Sequence, residues 1–534
     1  MGFFSEKKNN QLKSTTPSTS QTKESNEKQT LKTSLQDNIK TVKDTVGEST
    51  DIIIREIRIG KEGVLKAGLI YTDGLSYAPN IHDFILESLM LDIKDTDLEN
   101  KLIPNPKLIN MIKDFAMTVG EIKDVSKFDD LFLSLLSGDV IFLIDGYSEG
   151  LTIGNKHWAE RGVTESTTQT VIRGPREAFS ENVRINTSLI RRKIKDPQLW
   201  LESKIIGKRT KTNIAVMYIK GVANEKVVEE VHLRLNRIDI DGILESGNIE
   251  ELIQDAQMST FPTVYNSERP DVVASAILEG RVAILIDGTP FVLTVPALFV
   301  EFFQSSEDYY QRAGLTSLVR ILRFISFGIS LLAPALFIAA TTFHQEMIPT
   351  SLVINLAAQR EGVPFPAFIE ALIMEVTFEI LREAGLRMPR AIGSAMSIVG
   401  AFVIGTAAVE AGMISAAMVI VVSITAIASF VSPTYDMAMS VRILRFVFMG
   451  LAASFGLFGI TVGLIALILH LCSLRSFGIP YMYPLAPFNI SDQKDTLIRL
   501  PIWKMSTRPN LISQENIDRQ QNPTSAKPEP EKEQ

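Results

Sequence analysis

The sequence predicts an α+β multidomain membrane protein, with two related α/β cytoplasmic subdomains followed by an α-helical transmembrane domain. Two observations carry this prediction. A motif of similar residues occurs twice within the first 310 residues, at 136–146 and again at 278–288. Beyond residue 320, uncharged stretches reach the length of about 20 residues that a helix needs to cross about 30 Å of hydrocarbon.

Residues 1–50 are rich in Lys, Ser, Thr, Gln and Asn and have few apolar residues. Such a composition cannot bury enough surface to offset the chain entropy lost on folding, so a disordered polar extension is predicted. The extension lacks the apolar core of a signal peptide, which predicts that the region after it stays in the cytoplasm.

The two α/β subdomains are predicted at 51–165 and 166–310. The segments LSGDVIFLIDG (136–146) and LEGRVAILIDG (278–288) each combine a Gly turn, a buried strand and an Asp-Gly turn. Asp145 and Asp287 could be catalytic or metal-binding, but the turn interpretation is favoured because the following Gly tolerates positive φ.

Composition and motifs argue against several classes of function. The net charge is −7 without a dominant basic patch, which predicts no nucleic-acid partner. A single cysteine, Cys472, excludes intramolecular disulfides and Cys-based metal clusters. The sequence has no phosphate-binding loop, zinc-protease motif or nucleophile elbow, and its five histidines lie far apart. We therefore predict that the protein is not an enzyme and has no catalytic residue, cofactor or metal.

Four basic residues lie on the predicted helix within 171–194, namely Arg184, Arg191, Arg192 and Lys193. They could bind a phosphate group or an acidic lipid. A solvated helix face, or a contact with a partner subunit, is the preferred interpretation.

The membrane domain is predicted at 311–490, followed by a polar tail at 491–534. Four uncharged stretches are predicted to span the membrane: 324–343, 391–409, 411–435 and 446–474. The segment 476–488 is rich in Pro and aromatic residues and is predicted to lie at the membrane interface.

Small residues recur at every fourth position of the second span, and they are Gly393, Ser397, Ala401 and Gly405. Such a stripe lets another helix approach closely, so helix packing is the preferred interpretation. A pore lined by these residues is the alternative, because the span follows an acidic helix.

That acidic helix, at 365–383, is the charged element among the predicted spans. Glu375, Glu379 and Glu383 fall on one stripe about 80° wide, and Glu370 lies apart from it. Such a helix either lies flat at the interface or faces water inside the membrane. In a ring of subunits the three aligned carboxylates could line an aqueous path for cations. Both interpretations remain open at this point.

The distribution of arginines bears on the number of crossings. If the acidic helix crosses the membrane, five arginines that follow it fall on the cytoplasmic side, and they are Arg382, Arg387, Arg390, Arg442 and Arg445. This agrees with the positive-inside rule. It favours five crossings, which would place the C-terminus on the opposite side.

Four stretches together resemble the A subunit of spore germinant receptors of the GerA family, over roughly residues 50–500. They are VIRGPREAFSENVRINTSLIRRKI (171–194), GRVAILIDGTPFVLTVP (280–296), PFPAFIEALIMEVTFEILREAGLRMPRAIGSAMSIVGAFVIG (364–405) and SFGIPYMYPLAPF (476–488). The resemblance implies a two-part cytoplasmic domain on the spore-core side and a multi-pass membrane domain in the inner membrane of an endospore.

The resemblance also implies partners and an activity. The partners would be a transporter-like B subunit that binds the nutrient and a C subunit that is a lipoprotein. The A subunits would self-associate into a ring that forms a nutrient-gated cation channel and starts germination. Two alternatives stay open: a paralogous sporulation membrane protein that is accessory to a channel, and a membrane scaffold that conducts nothing.

Overall fold

The structure is a computed structural model. It describes residues 30–59, 65–77, 79, 81, 121–157, 166, 169, 171–387, 405–514 and 516–519. These residues form two α/β subdomains and a helical domain, in that order along the chain. The fold class predicted from the sequence is confirmed.

The first subdomain is a five-stranded sheet with helices packed on it. Its elements are α1 (Leu35–Val46), β1 (Ile52–Ile59), β2 (Leu65–Thr72), β3 (Ile122–Val125), α2 (Phe128–Leu135), β4 (Val140–Ile144) and β5 (Gly150–Ile153). The strand order is β1-β2-β4-β5-β3, and neighbouring strands are antiparallel. The helix predicted within 81–93 lies almost wholly outside the described residues.

The second subdomain repeats this arrangement. Its elements are α3 (Val183–Lys193), β6 (Leu199–Ile206), β7 (Thr212–Ile219), α4 (Glu225–Asn236), α5 (Ser246–Ile253), β8 (Tyr265–Ser267), α6 (Pro270–Leu278), β9 (Val282–Ile286) and β10 (Val292–Val295). The strand order β6-β7-β9-β10-β8 corresponds position by position to that of the first sheet. The repeated motif therefore marks two related subdomains, as predicted.

The two Asp-Gly turns serve the same structural purpose in both subdomains. Asp145 Oδ1 accepts a hydrogen bond from Leu35 N at 3.0 Å, and Asp287 Oδ1 accepts one from Val183 N, also at 3.0 Å. Each carboxylate thus binds a backbone N–H of a helix N-terminus, where a negative charge is stabilising. This contact supports the structural interpretation of both aspartates.

The two subdomains are joined by ion pairs that use the predicted basic helix. Arg191, 1% exposed, donates from Nε and Nη2 to the carboxylate of Asp51 at 2.7 and 2.9 Å. Arg184 pairs with Asp73 across the same junction. Arg192 and Lys193 both contact Glu177. These partners explain the four basic residues as contacts within the chain rather than as an anion site.

One part of the predicted disordered extension is ordered, which corrects the boundary at residue 50. Helix α1 buries Leu35, Ile39, Val42 and Val46, which are at most 3% exposed, against the first sheet. These residues recur at helical spacing within a polar composition. The composition averaged over residues 1–50 does not show this one apolar stripe.

A glycine substitution tests the repeated turn before β9. Gly280 has φ +96°, and a Cβ there would lie 2.8 Å from Val222 O. We expect Gly280→Ala to lower the free energy of unfolding by about 3 kcal/mol, because positive φ and a backbone clash add. Gly288→Ala is the matched control, with φ +94° and Leu244 O at 3.8 Å, and should cost about 1 kcal/mol. Urea unfolding followed by tryptophan fluorescence measures both, and equal costs would contradict the clash.

The helical domain begins directly after the second subdomain. Its helices in the described residues are α7 (Ala313–Thr342), α8 (Thr350–Arg360), α9 (Ala367–Arg387), α10 (Gly405–Glu410), α11 (Ala416–Phe430) and α12 (Tyr435–Ser473). Of the predicted small-residue stripe, Gly393, Ser397 and Ala401 lie outside the described residues, and Gly405 begins α10. Most of the predicted span 391–409 lies outside them too.

Helix α12 is a hairpin, which corrects the single span predicted at 446–474. Gly456 has φ 60° and ψ −141° and divides α12 into arms at 435–455 and 457–473. A Cβ on Gly463 would lie 2.9 Å from Phe448 Cε1, although a straight helix would separate these residues by about 22 Å. The two arms therefore run antiparallel, and Phe343 at the end of α7 packs beside the turn.

The chain after α12 returns to the second subdomain. Ser476 Oγ donates to Thr263 O at 2.6 Å, and Phe477 N donates to Asp255 Oδ2 at 2.7 Å. Tyr481 and Tyr483 are 0% and 2% exposed in hydrophobic cores, so they are not the interfacial anchors predicted for 476–488. The face of the helical domain that adjoins the second subdomain is called the near face below.

More of the C-terminal tail packs against the rest of the protein than the sequence predicted. Ile512 is fully buried in the core of the second subdomain, and Arg519 pairs with Glu279 of the same subdomain. The C-terminal region up to residue 519 thus lies on the side of the α/β subdomains. This contradicts the opposite side that five crossings would give.

Candidate functional site: a charged cluster in the helical domain

Helix α9 carries the predicted acidic stripe and runs through the helical domain. It contacts α7, α11 and the first arm of α12, and its 21 residues extend about 32 Å. Ala371 is fully buried, and the ring of Phe378 lies 6.4 Å from that of Phe430 at the end of α11. The buried residues of α9 all lie in its first half, between Ala367 and Glu375, so this half packs in the interior of the helical domain.

Glu375 lies at the centre of the cluster and has a basic partner. Its Oε2 accepts from Arg445 Nη1 at 2.5 Å, and the two side chains are 0% and 1% exposed. Arg445 also donates from Nε to Ser330 O at 2.7 Å and from Nη2 to Ser330 Oγ at 2.9 Å. One ion pair therefore joins α9, the first arm of α12 and α7.

Glu379 extends the cluster towards the near face. It contacts Arg382 on its own helix and Arg442 of α12, whose Nη1 lies 3.6 Å from Glu379 Oε2. Within the described residues, Glu375 Oε1 and Glu379 Oε1 are buried without a hydrogen-bond partner. The cluster holds three arginines and two glutamates, so its charges are only partly matched.

The three predicted ion-path residues have different surroundings. The Glu383 side chain is 58% exposed and pairs with Arg387 at 2.6 Å on the helix surface. The Glu379 side chain is 29% exposed, and that of Glu375 is fully buried. One subunit therefore does not present all three carboxylates to a single aqueous path, and their role in conduction stays a prediction.

Glu370, which lies apart from the acidic stripe, is the carboxylate of α9 with the most hydrogen-bond partners. It is fully buried and accepts at Oε2 from Ser415 N at 3.1 Å and from Ser415 Oγ at 2.8 Å. Its Oε1 lies 3.2 Å from Arg360 Nε of α8. Glu370 thus binds the N-terminus of α11. The signal available in the sequence was a serine at the start of an apolar helix, which is a typical N-cap.

A cavity of about 380 Å³ lies between the second subdomain and the start of α12. Its lining includes Glu245, Glu250 and Asp436, and Asn266 Nδ2 donates to Asp436 Oδ2 at 2.7 Å. Burial and the neighbouring Asp436 charge raise the pKa of Glu250 to about 7. The folded protein therefore keeps a proton on Glu250 that the unfolded chain releases near pH 4.5.

This pKa predicts a pH dependence of stability. Because the folded state binds the proton more tightly, the stability contributed by Glu250 falls as pH rises from about 4.5 to about 7, by at most about 3 kcal/mol. Thermal unfolding of the detergent-solubilised protein across this window should show a weaker loss in Glu250→Gln. Glu251→Gln, at the exposed neighbouring position, should keep the wild-type slope. Equal slopes in all three proteins would contradict the prediction.

These features define a membrane-associated protein with a duplicated α/β domain and a helical domain that holds paired charges in its interior. Of the described helices, α7 is long and apolar enough to cross a membrane, and so is α12 when its two arms are counted together. The family model described as Bacillus/Clostridium GerA spore germination protein matches residues 40–511. The chain belongs to this GerA family, which is not a known class of enzymes.

The chain is also similar to individual proteins. Spore germination protein KA of Bacillus subtilis (strain 168) is 51% identical over 91% of this chain and 88% of its own length. Uncharacterized membrane protein YfkQ of the same organism is 42% identical over 92% and 94%. The crystal structure of the N-terminal domain of the A subunit of the Bacillus megaterium spore germinant receptor GerK3 is 39% identical. The match covers 51% of this chain and 98% of the crystallised domain, with a TM-score of 0.41.

Proposed function

We propose that this chain is the A subunit of a nutrient germinant receptor in the inner membrane of the endospore. It self-associates into a ring and forms a nutrient-gated cation channel that starts germination. Its partners are a transporter-like B subunit, which binds the nutrient, and a lipoprotein C subunit. Membership of the GerA family supports the receptor assignment.

The charged cluster around Glu375 is the observation that carries the channel proposal. Burying an ion pair is expensive, and well-packed apolar side chains of similar volume often give equal or better stability. Ionisable residues inside membrane helices therefore suggest an ion pathway or a gate. Among the described residues, the Oε1 atoms of Glu375 and Glu379 have no hydrogen-bond partner, so each carboxylate can form a further contact when the helices move.

In the proposed topology the chain crosses the membrane six times. The crossings are α7, α9, the span predicted from the sequence at 391–409, which lies mostly outside the described residues, α11 and the two arms of α12. The contacts of the tail with the second subdomain support an even number. This topology also keeps the arginines of α9 and α12 towards the cytoplasmic side, in agreement with the positive-inside rule.

In a single subunit the proposed ion path is closed, because Glu375 is paired with Arg445. Helix α9 also has a face that the other described helices leave uncovered, with Val376 42%, Ile380 64% and Leu386 63% exposed. In the proposed ring this face meets a neighbouring subunit or the central axis. Nutrient binding to the B subunit would then open the path by moving α9 relative to α12.

The test measures cation release from spores when nutrient is added. We expect Glu375→Gln and Glu379→Gln to change the rate of release at least several-fold, because both carboxylates lie in the cluster. Glu383→Gln is the matched control, since its exposed pair with Arg387 is of the kind that contributes little. Wild-type release from both cluster variants, at normal receptor levels, would remove these carboxylates from the mechanism.

A second measurement separates the alternatives. Reconstitution of the receptor subunits into liposomes with an ion-flux readout should show nutrient-dependent flux. Absence of flux from a correctly assembled receptor would favour the non-conducting scaffold. Adjacent B and C subunit genes favour the receptor over the paralogous accessory protein.

A further inference from the structure

The tail segment 487–504 has an unusual pattern of exposure. Five large apolar side chains face outward, and they are Phe488 70%, Ile490 80%, Leu497 41%, Ile498 54% and Ile502 57% exposed. Its two acidic residues face inward. Asp492 is 8% exposed and accepts from Asn510 N at 2.8 Å, and Asp495 Oδ2 accepts from Tyr309 Oη at 2.7 Å. A water-facing segment would show the reverse pattern.

This segment is held against the start of α7. Arg499 N donates to Ser317 Oγ at 3.1 Å, and Ser317 Oγ donates to Arg499 O at 3.2 Å. Arg320, fully buried, donates from Nη1 to Asp495 Oδ1 at 2.7 Å and to Thr496 O at 3.2 Å. The outward apolar residues therefore lie at a fixed place beside the first turns of α7.

The first turns of α7 show an apolar surface of their own. Leu315, Leu318 and Leu322 are 54%, 66% and 53% exposed. The tail segment and these three leucines together are called the apolar collar. The collar continues the outward apolar face of α7, where Ile325 is 53% exposed.

The length of α7 places the collar relative to the bilayer. Its 30 residues extend about 45 Å, whereas the hydrocarbon layer is about 30 Å thick. If the crossing ends at Thr342, about ten residues remain on the near face, which are those that carry the collar. These ten residues extend about 15 Å, and each headgroup layer is about 5–8 Å thick, so Leu318 and Leu322 lie at its depth and Leu315 lies just beyond it.

The local structure of the segment fits this layer and not the hydrocarbon. It consists of turns and short 3₁₀ helices at Ile490–Asp492 and Ile502–Lys504. Irregular backbone is not exposed to hydrocarbon, because its polar groups need water or headgroup partners. Lys504 Nζ lies 5.1 Å from the centre of the Trp503 ring. Tryptophan and lysine both favour the membrane–water interface.

We propose that the apolar collar is a lipid-contacting surface that rests on the headgroup layer of the near leaflet. Its outward side chains insert among the lipids at the headgroup level, while Lys504 faces anionic headgroups. The collar would thereby fix the height of the α/β subdomains above the membrane. This surface is independent of ion conduction.

Trp503 allows a direct test, because the chain has three tryptophans in all. The full-length variant Trp158→Phe/Trp200→Phe retains Trp503 alone and is reconstituted into vesicles of lipids brominated near the glycerol end of the acyl chain. We expect its emission to fall at least twofold relative to unbrominated lipids. The matched control Trp158→Phe/Trp503→Phe retains Trp200, whose Nε1 donates to Thr45 O at 3.3 Å within the subdomains, and should stay unquenched.

A second measurement does not depend on replacing tryptophans. A spin label at Ile490→Cys, in a Cys472→Ser background, should be more accessible to oxygen than to a water-soluble nickel chelate. A label at Leu233→Cys, 57% exposed on α4, should show the opposite preference. Equal quenching of Trp503 and Trp200, or aqueous accessibility of the Ile490 label, overturns the proposal. If Trp503 is quenched only after the subunits are diluted apart in the bilayer, the collar is covered by a second copy of this chain in the assembly. That result also overturns the proposal.

Discussion

Replacing Arg445 by Met is expected to destabilise the helical domain by about 3–5 kcal/mol. The substitution leaves Glu375, which is fully buried, without its partner and removes two hydrogen bonds to Ser330. An uncompensated buried charge costs much more than the pair itself contributes. The midpoint of thermal unfolding of the detergent-solubilised protein, and the amount of folded protein recovered, measure this loss.

A double substitution distinguishes loss of the pair from loss of packing. Arg445→Met combined with Glu375→Leu removes both charges, and we expect it to recover most of the stability lost in Arg445→Met. Arg387→Met is the control, because its pair with Glu383 lies on the surface and should change stability by less than about 1 kcal/mol. A double variant as unstable as Arg445→Met would show that the arginine acts through packing alone.

The same set of variants connects stability with the proposed conduction. If the Glu375–Arg445 pair holds α9 against α12 in the closed state, the apolar double variant should fold but respond abnormally to nutrient. A stable double variant with normal cation release would make the pair a structural element only. The thermal stability thus measures the structural role of the ion pair, and the cation release measures its role in conduction.

Replacing Gly456 by Val is expected to abolish the hairpin of α12. Val is strongly disfavoured at φ 60° and ψ −141°, and its Cβ would lie 2.8 Å from His344 Cε1. Without the turn, the two arms would continue as one helix of 39 residues, about 58 Å long. The end of the second arm would then move away from the second subdomain to the opposite side.

Cys472 reports this change directly, because it is exposed and is the one cysteine of the chain. In the wild-type protein, a membrane-impermeant maleimide should label it only from the side of the α/β subdomains. Labelling of Gly456→Val should shift to the opposite side, or the folded protein should be lost. Gly450→Val is the control, since Gly450 lies within the first arm and a Cβ there meets nothing within 4 Å. Wild-type labelling of Gly456→Val at a normal yield would contradict the hairpin.

The duplicated domain could be predicted from the sequence because its signals are local. The repeated motif combines a turn glycine, a buried strand and an Asp-Gly turn within eleven residues, and both copies form the same elements. Gly138 and Gly280 both adopt positive φ, +95° and +96°, which fixes the residue type at this position. The residue type at such a turn follows from the local backbone conformation, so it can be recognised without knowing the tertiary contacts.

The hairpin at Gly456 could not be predicted from the sequence. The run 446–474 contains no charge and no proline to mark a turn. As one helix its 29 residues would extend about 43 Å, which is more than the hydrocarbon layer requires. Two crossings need about 40 residues, and the first arm of the hairpin begins at Tyr435, in a stretch that carries Asp436, Arg442 and Arg445, so the apolar run alone did not indicate a reversal.

The sequence by itself determined the duplicated α/β domain, the apolar helices and the acidic stripe of α9, because each follows from residue spacing along one element. Only the tertiary structure decided the partner of each carboxylate and the side to which the tail returns. Arg445 is 70 residues from Glu375, and Thr263 is 213 residues from Ser476. Contacts between residues so far apart depend on how whole helices pack, and no local pattern encodes them.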